Sequence, residues 1–76
     1  MEHKLKIEPQ YFMEVYAKRK TFEIRKNDRD YKVGDTLILR EYLKEHRQYT
    51  GNILKRKITY ITDYAQQENY VVMSIV

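Results

Sequence analysis

Four residues in the segment KTFEIR combine charge and hydroxyl chemistry at close spacing: Lys20, Thr21, Glu23 and Arg25. In an extended strand alternate residues point to the same side, so Thr21, Glu23 and Arg25 would share one face with Lys20 at its entrance. Ammonium and guanidinium groups donate hydrogen bonds to phosphate or carbonyl oxygens, and a carboxylate orients them or accepts from an amino group. The spacing therefore predicts either a small charged cleft or a solvated strand face with a weak ion pair.

Other catalytic and metal-binding signatures are missing from the sequence. The only glycines, Gly34 and Gly51, do not form a phosphate-binding loop. His3 and His46 lie on different segments and lack the spacing of metal ligands, and Ser74 falls in a predicted core strand. We therefore expect no metal site, no cofactor and no Ser-His-Asp catalytic arrangement.

Lys6 and Tyr60 are weaker candidates for the same cleft. Lys6 lies on the first predicted strand beside the start of the helix, and Tyr60 would offer an aromatic face for stacking. The chain has 15 Lys and Arg against 11 Asp and Glu, a net charge of +4, and eight tyrosines. A basic balance favours polyanionic partners, and tyrosine serves base stacking as well as core volume. Charge and tyrosine content are thus compatible with a nucleic-acid partner but do not assign one, because many equally basic domains have none.

Length and composition limit the remaining classes. With 76 residues the chain is expected to form one domain over residues 1–76. The absence of cysteine excludes a disulfide framework and a thiolate metal site, and it fits a reducing compartment. No run approaches the ~18 apolar residues of a membrane span, and the first ten residues lack the apolar region of a signal peptide. We expect a soluble cytoplasmic protein without a membrane partner, with a monomer as the favoured state.

The hydrophobic pattern predicts the elements that must position the charged residues, in the order β-α-β-β-β-β. One helix is predicted near residues 9–19, where Pro9 suits the first turn and the basic residues 18–20 suit the end. The segment TFEIR is predicted as a strand with Phe22 and Ile24 buried behind its polar face. The other strands are predicted at residues 3–8, 36–43, 53–64 and 70–76.

Details of these strands predict how the sheet closes. The apolar run in TLILREYL indicates burial on both faces, and residues 44–52 are predicted as a polar loop. Imperfect alternation at Ile58, Tyr60 and Ile61 predicts a bend or bulge. Five short strands must close on themselves or expose long edges. The predicted fold class is therefore α+β, a small, partly open five-stranded barrel with one main helix after the first strand.

The segments KRKTFEIR and YKVGDTLIL resemble the ASCH domain (activating signal cointegrator homology) of the PUA-like superfamily. The hallmark of that family reads Gly-x-Lys-x-x-Glu-x-Arg, and Lys20, Glu23 and Arg25 stand at its charged positions. Lys18 stands where the hallmark has glycine, which suits a left-handed helix cap better than lysine does. Almost the whole chain resembles the short phage and bacterial ASCH-like proteins of domain of unknown function 3850, through HKLKI, YFMEV, YTG, ITYITDY and YVVMSI.

The resemblance implies a PUA-like pseudobarrel with the helix beside a cleft lined by the Lys-x-x-Glu-x-Arg motif, and a module that binds RNA or a modified nucleotide. An alternative is an amidohydrolase acting on acylated cytidine-like nucleosides, as some small ASCH-fold proteins are. Those enzymes use the hallmark lysine, matched by Lys20, and a threonine three residues later, where this chain has Glu23. Thr21 lies two residues nearer the helix, so we expect no such activity.

A third class is a phage-type domain that binds another protein. A basic, tyrosine-rich surface suits a protein interface as well as it suits RNA, because Tyr and Arg are both favoured at interfaces. The sequence does not separate these two classes. Salt dependence does, because a protein that contacts phosphates releases counterions and binds less tightly as salt rises.

Overall fold

The sheet and helix follow the predicted order in the computed structural model, which describes residues 1–76. The elements are β1 (Glu2–Ile7), α1 (Pro9–Tyr16), β2 (Phe22–Lys26), β3 (Thr36–Leu43), β4 (Gln48–Thr62) and β5 (Tyr70–Ile75). The α+β class, the five strands and the single helix after the first strand are confirmed. No helix in the structure is long and apolar enough to cross a membrane.

The five strands form one mixed sheet in the order β1-β3-β4-β5-β2. β1 runs parallel to β3, and the other neighbours are antiparallel. The sheet curls until its two edge strands face each other across a gap, here called the seam. Arg25 Nη2 donates to the carbonyl oxygen of Lys6 at 2.9 Å, and Arg29 Nη1 donates to that of Lys4 at 2.7 Å. Because side chains bridge the seam where a backbone ladder would close it, the barrel stays open.

The core lies between the concave side of the sheet and α1. Its most deeply buried side chains are Val15, Leu37, Leu39, Ile58 and Met73. Alternation explains the strand members of this set, because successive residues of a strand point to opposite faces. On β3 the intervening residue Ile38 is also buried, so the prediction of burial on both faces of this strand is confirmed.

The helix is shorter than predicted. It begins at Pro9 as expected but ends at Tyr16, so the basic residues 18–20 lie beyond it. Lys18 has φ +62°, its N–H donates to Val15 O at 3.0 Å, and the Arg19 N–H donates to Glu14 O at 3.0 Å. These two bonds form a Schellman cap, which usually has glycine at this position. Lysine therefore adopts the left-handed geometry here, at the cost of the strain that a side chain brings to it.

Two predictions about β4 have different outcomes. The predicted polar loop over residues 44–52 is wrong, because β4 already begins at Gln48 and the connecting turn is confined to residues 44–47. Gly51 at φ +94° bends the strand opposite a register shift between Arg40 and Tyr42, so the chain stays paired where a loop was expected. The predicted irregularity near Ile58 is confirmed by a register shift between Ile58 and Tyr60.

The prediction that Phe22 and Ile24 are buried is wrong. Their exposed fractions are 42% and 47%, whereas Glu23 is only 4% exposed. Glu23 lies opposite Met73 in the β2–β5 ladder, and Arg25 lies opposite Val71. Both partners belong to the core, so Glu23 and Arg25 face the interior, whereas Phe22, Ile24 and Lys26 face outward. The alternation was correct, but its phase relative to the core was inverted, since a shift of one residue exchanges the two faces.

Candidate functional site

A groove of about 480 Å³ opens where the seam meets the start of α1. It exists because β1 and β2 do not pair with each other, so the concave side of the barrel is accessible at this place. Its lining comes from the end of β1, the start of α1, the unpaired edge of β2 and Lys20 just before that strand. The lining residues are Lys6, Ile7, Glu8, Tyr11, Lys20, Phe22, Glu23, Ile24 and Arg25.

The Glu23 carboxylate is the buried centre of the groove. Lys20 Nζ donates to Oε1 at 3.1 Å, and Arg25 Nε donates to Oε2 at 3.2 Å. A buried carboxylate is costly unless it is paired and hydrogen-bonded, and here each oxygen has a cationic donor. Lys20, Glu23 and Arg25 therefore form one ionic unit across the floor of the groove.

The two cations retain hydrogen-bond donors after they have satisfied Glu23. Lys20 Nζ also donates to Phe22 O at 2.8 Å, which leaves one of the three N–H groups of an ammonium. The second bond of Arg25 goes to Lys6 O across the seam, which leaves three of the five N–H groups of a guanidinium. The side chains of Lys20 and Arg25 are 18% and 25% exposed, so these spare donors are within reach of a ligand.

Apolar and aromatic groups surround this charged floor. Phe22 and Ile24 form one wall, and the partly exposed ring of Tyr11 lies at the start of α1. Lys20 Nζ lies 5.0 Å from the centre of the Phe22 ring and 5.7 Å from that of Tyr11, so the cation interacts with both rings. The groove thus offers flat apolar faces beside charged hydrogen-bond donors.

The structure brings together four of the six predicted site residues. Lys6, Lys20, Glu23 and Arg25 line the groove, whereas Thr21 and Tyr60 do not. Thr21 precedes β2 and is exposed, and its carbonyl oxygen accepts from the Ile75 N–H at 3.0 Å. Tyr60 lies opposite Ser74, which in turn lies opposite Phe22, so two strand spacings separate Tyr60 from the groove wall.

Sequence reasoning missed the groove residues of the β1–α1 junction. Glu8 and Tyr11 line the groove because Pro9 starts the helix at once and turns it back beside the seam. A signal was available, since a strand that ends one residue before a helix brings the first helical turn to the end of that strand. The approach of Arg25 to the Lys6 carbonyl had no such signal, because these residues lie 19 positions apart.

A second buried carboxylate, Asp35, lies at the opposite end of β1 and β3 from the groove. His3 Nε2 lies 2.8 Å from Asp35 Oδ2, and the Lys32 N–H donates to the same oxygen at 3.1 Å. The hydrogen bond from His3 is the main cause that lowers the pKa of Asp35 from 3.8 to about 2. The His3 ring also packs edge-on against Tyr31, with ring centres 4.8 Å apart. Burial raises the pKa of the Tyr31 phenol, so it stays neutral at physiological pH.

The described chain contains no group of three or more His, Asp or Glu side chains that could hold a metal ion. The groups that line the groove are ammonium, guanidinium and carboxylate groups and aromatic rings. These groups can bind and orient an anionic or hydrogen-bonding ligand.

The fold and the groove define a class of small α+β domain, in which a curled five-stranded sheet opens into a charged groove beside its only helix. The sequence profile of the family described as "Domain of unknown function (DUF3850)" matches residues 2–75, so the chain belongs to that family. A relative from Escherichia phage P2, "Uncharacterized 12.9 kDa protein in GpA 3'region", is 39% identical over 72 residues. The alignment covers 93% of this chain but 64% of the relative, so the chain spans less than two thirds of its length.

Proposed function

We propose that this protein is a binding module that takes one nucleotide of a single-stranded RNA into the groove. The observation that carries the proposal is the set of spare cationic donors on Lys20 and Arg25 beside exposed aromatic rings. Single-stranded RNA is recognised by stacking its bases on aromatic side chains and by contacts to its phosphates. The volume of about 480 Å³ also lies within the range of small-ligand pockets.

Each part of the groove has a role in this proposal. The phosphate accepts hydrogen bonds from the spare donors of Arg25 and Lys20, whose charges Glu23 holds in position. Phe22 and Tyr11 offer ring faces against which a base can stack. Lys6, at the rim, adds a positive charge that has no carboxylate within 4.0 Å.

We assign the domain to the ASCH branch of the PUA-like superfamily on the same grounds. The order of one strand, one helix and four strands, the open barrel and the Lys-x-x-Glu-x-Arg positions support this assignment. The left-handed φ of Lys18, where the hallmark has glycine, supports it further.

The amidohydrolase alternative receives less support from the geometry. A nucleophile and its activating group must lie within hydrogen-bond reach of each other and of the scissile carbonyl. Thr21 does not line the groove, and Glu23 occupies the expected nucleophile position with both oxygens already bonded to cations. We expect no deacylation of acetylated cytidine above background, and turnover lost on Thr21→Ala with the fold intact would contradict this.

The proposal is tested by measuring the affinity of the wild type, Lys20→Ala and Arg25→Ala for RNA oligomers and modified nucleosides. Loss of a charge-assisted contact costs about 1–3 kcal/mol, so each variant should bind RNA about 5- to 150-fold more weakly. Arg29→Ala is the matched control, because Arg29 also bridges the seam to β1 but does not line the groove. Binding that is equal in all three variants and the wild type would show that the charged groove has only a structural role.

A further inference from the structure

The convex side of β1, β3 and β4 carries a set of cations that the groove does not explain. In the β1–β3–β4 ladders Lys4 lies opposite Ile38 and then Lys55, and Lys6 lies opposite Arg40. Lys57 continues the β4 row opposite Thr36. Residues that are partners across a sheet point to the same face, so these five side chains share one surface. We call this surface, made of Lys4, Lys6, Arg40, Lys55 and Lys57, the cationic face.

The cations of this face are not neutralised within the protein. None of the five has an Asp or Glu oxygen within 4.0 Å, although eight ion pairs occur elsewhere in the molecule. Among the convex-side residues of these three strands the only acidic one is Glu2, opposite Thr36. Unpaired like charges repel one another, so this arrangement costs stability unless an anion occupies it. Charge complementarity therefore points to a polyanion.

Two tyrosines extend the cationic face beside the groove. Tyr42 and Tyr49 contact each other edge to face with ring centres 4.9 Å apart. Lys6 Nζ lies 4.3 Å from the centre of the Tyr42 ring, and Arg40 Cζ lies 3.8 Å from that of Tyr49. Alternating cations and aromatic rings are what a surface needs to contact both the phosphates and the bases of a single strand.

Lys6 connects this surface to the groove. It lines the groove, and it also lines a smaller cavity of about 230 Å³ that includes Tyr42 and Lys44. Residues two apart on a strand lie ~6–7 Å apart, and neighbouring strands lie ~5 Å apart, so the five cations cover a short path leading away from the groove.

We infer that the cationic face binds the sugar-phosphate backbone of a single-stranded nucleic acid, beyond the nucleotide that occupies the groove. This inference rests on the proposed function, because the groove supplies the point from which the strand continues across Lys6. It adds that the natural ligand is a strand of several nucleotides. A free mononucleotide would leave the cationic face empty.

The experiment compares an RNA of about 12 nucleotides with a dinucleotide, each titrated at several salt concentrations. The longer RNA should bind with a steeper fall in affinity with salt, because each phosphate contact on a single strand adds about 0.7 to the log–log slope. A single-stranded DNA of the same sequence should show a similar slope, since phosphates carry this part of the binding.

Lys55→Ala and Lys26→Ala form the matched pair of variants. Both are exposed strand lysines without an ion pair, but Lys26 lies on β2, which is not one of the three strands that carry the cationic face. Lys55→Ala should reduce the salt slope for the longer RNA by about 0.7 and its affinity by roughly three- to tenfold, with the dinucleotide unaffected. Lys26→Ala should change the affinity for neither RNA, and the free energy of unfolding should be the same in both variants.

The outcomes separate this inference from the proposed function. Equal effects of Lys55→Ala and Lys26→Ala, or equal salt slopes for the two RNA lengths, would overturn the role of the cationic face. Binding that depends on Lys55 but not on Arg25 would keep the cationic face and overturn the groove as the nucleotide site. No binding of either RNA would overturn both and would favour a protein partner for this surface.

Discussion

Glu23 and Asp35 are two of the three buried carboxylates of this small domain, and they differ in the partners that neutralise them. Glu23 bridges Lys20 and Arg25, whose side chains are 18% and 25% exposed. Asp35 is bonded to His3, whose side chain is 5% exposed and packed against Tyr31, and its other oxygen accepts from the exposed Met1 amino group at 3.2 Å. Both carboxylates satisfy the requirement that a buried charge be paired.

A buried, paired carboxylate therefore has different consequences at these two places. His3 is buried and contacts only Asp35 and Tyr31, and the exposed Met1 amino group on the other Asp35 oxygen lies at the opposite end of β1 from the groove. Lys20 and Arg25 satisfy Glu23 with only part of their donors and present the rest to the groove. The open seam is the cause, because it gives the cations of Glu23 an accessible side. The Asp35 centre should therefore matter for stability alone, and the Glu23 centre for stability and binding.

The largest effect is expected for Glu23→Ala, which should lower the free energy of unfolding by about 3 kcal/mol in urea titration. Removal of the carboxylate leaves Lys20 and Arg25 charged at a partly buried place without a counter-charge. Glu23→Gln keeps the shape and one acceptor oxygen, so its loss should be smaller.

A triple variant tests whether the ionic unit exists for stability. Lys20→Met, Glu23→Leu and Arg25→Met together should be about as stable as the wild type, because apolar groups of similar size often replace a buried ionic cluster without loss. The same variant should lose RNA binding. Glu23→Ala with wild-type stability would mean that solvent already screens the two cations and that the comparison with Asp35 fails.

The next effect is expected for His3→Ala, which should lower the free energy of unfolding by about 2 kcal/mol. It removes a buried ring and the main partner of Asp35. RNA affinity should not change, since His3 is remote from the groove. His46→Ala is the control, because the other histidine is exposed in the β3–β4 turn and should alter neither quantity. Weaker RNA binding in His3→Ala would show that the two centres are coupled.

A smaller effect, visible only in acid, is expected from Asp35. Its pKa falls from 3.8 to about 2 on folding, so the unfolded chain takes up the proton more readily than the native one. The stability that Asp35 contributes is therefore complete above about pH 4 and is lost as the pH falls toward 2. Asp35→Asn should be less stable than the wild type at neutral pH, and this difference should shrink across that window.

Glu14→Gln is the comparison for the acid titration. The Arg19 guanidinium also lowers the pKa of Glu14, through a pair that is exposed on the surface. Surface pairs contribute little, so this variant should keep most of the acid dependence of the wild type. An Asp35→Asn curve that parallels the wild type between pH 4 and 2 would contradict the assignment to Asp35.

The smallest effect is expected for Lys18→Gly, which should raise the free energy of unfolding by up to about 1 kcal/mol. Glycine relieves the strain at φ +62°, although it also makes the unfolded chain more flexible. Lys18→Ala is the control and should give no such gain, because alanine retains the Cβ. Strain of this kind is not confined to the Glu23 centre, because Asp30, next to Tyr31 in the Asp35 centre, has φ +51°.

Much of this fold was predictable because its signals are local. Alternating residues predicted the strands, Pro9 predicted the start of the helix, and broken alternation near Ile58 predicted the bulge. The spacing of Lys20, Glu23 and Arg25 predicted that their side chains would converge, since it depends only on the geometry of one short segment.

Other features were decided by the tertiary structure alone. A period of two defines two faces of β2 but not which one meets the core. The inverted faces of Phe22 and Glu23 followed from pairing with β5, whose residues are distant in sequence.

The sequence by itself thus determined the order of the elements and the local spacing of the charged motif. The tertiary structure decided that the barrel stays open at the seam, that Asp35 meets His3 across 32 residues, and that five cations collect on one convex face. The physical reason is the distance along the sequence over which each kind of interaction acts. Propensity and alternation act over a few residues, whereas the register of long-range ladders depends on how the whole core is buried.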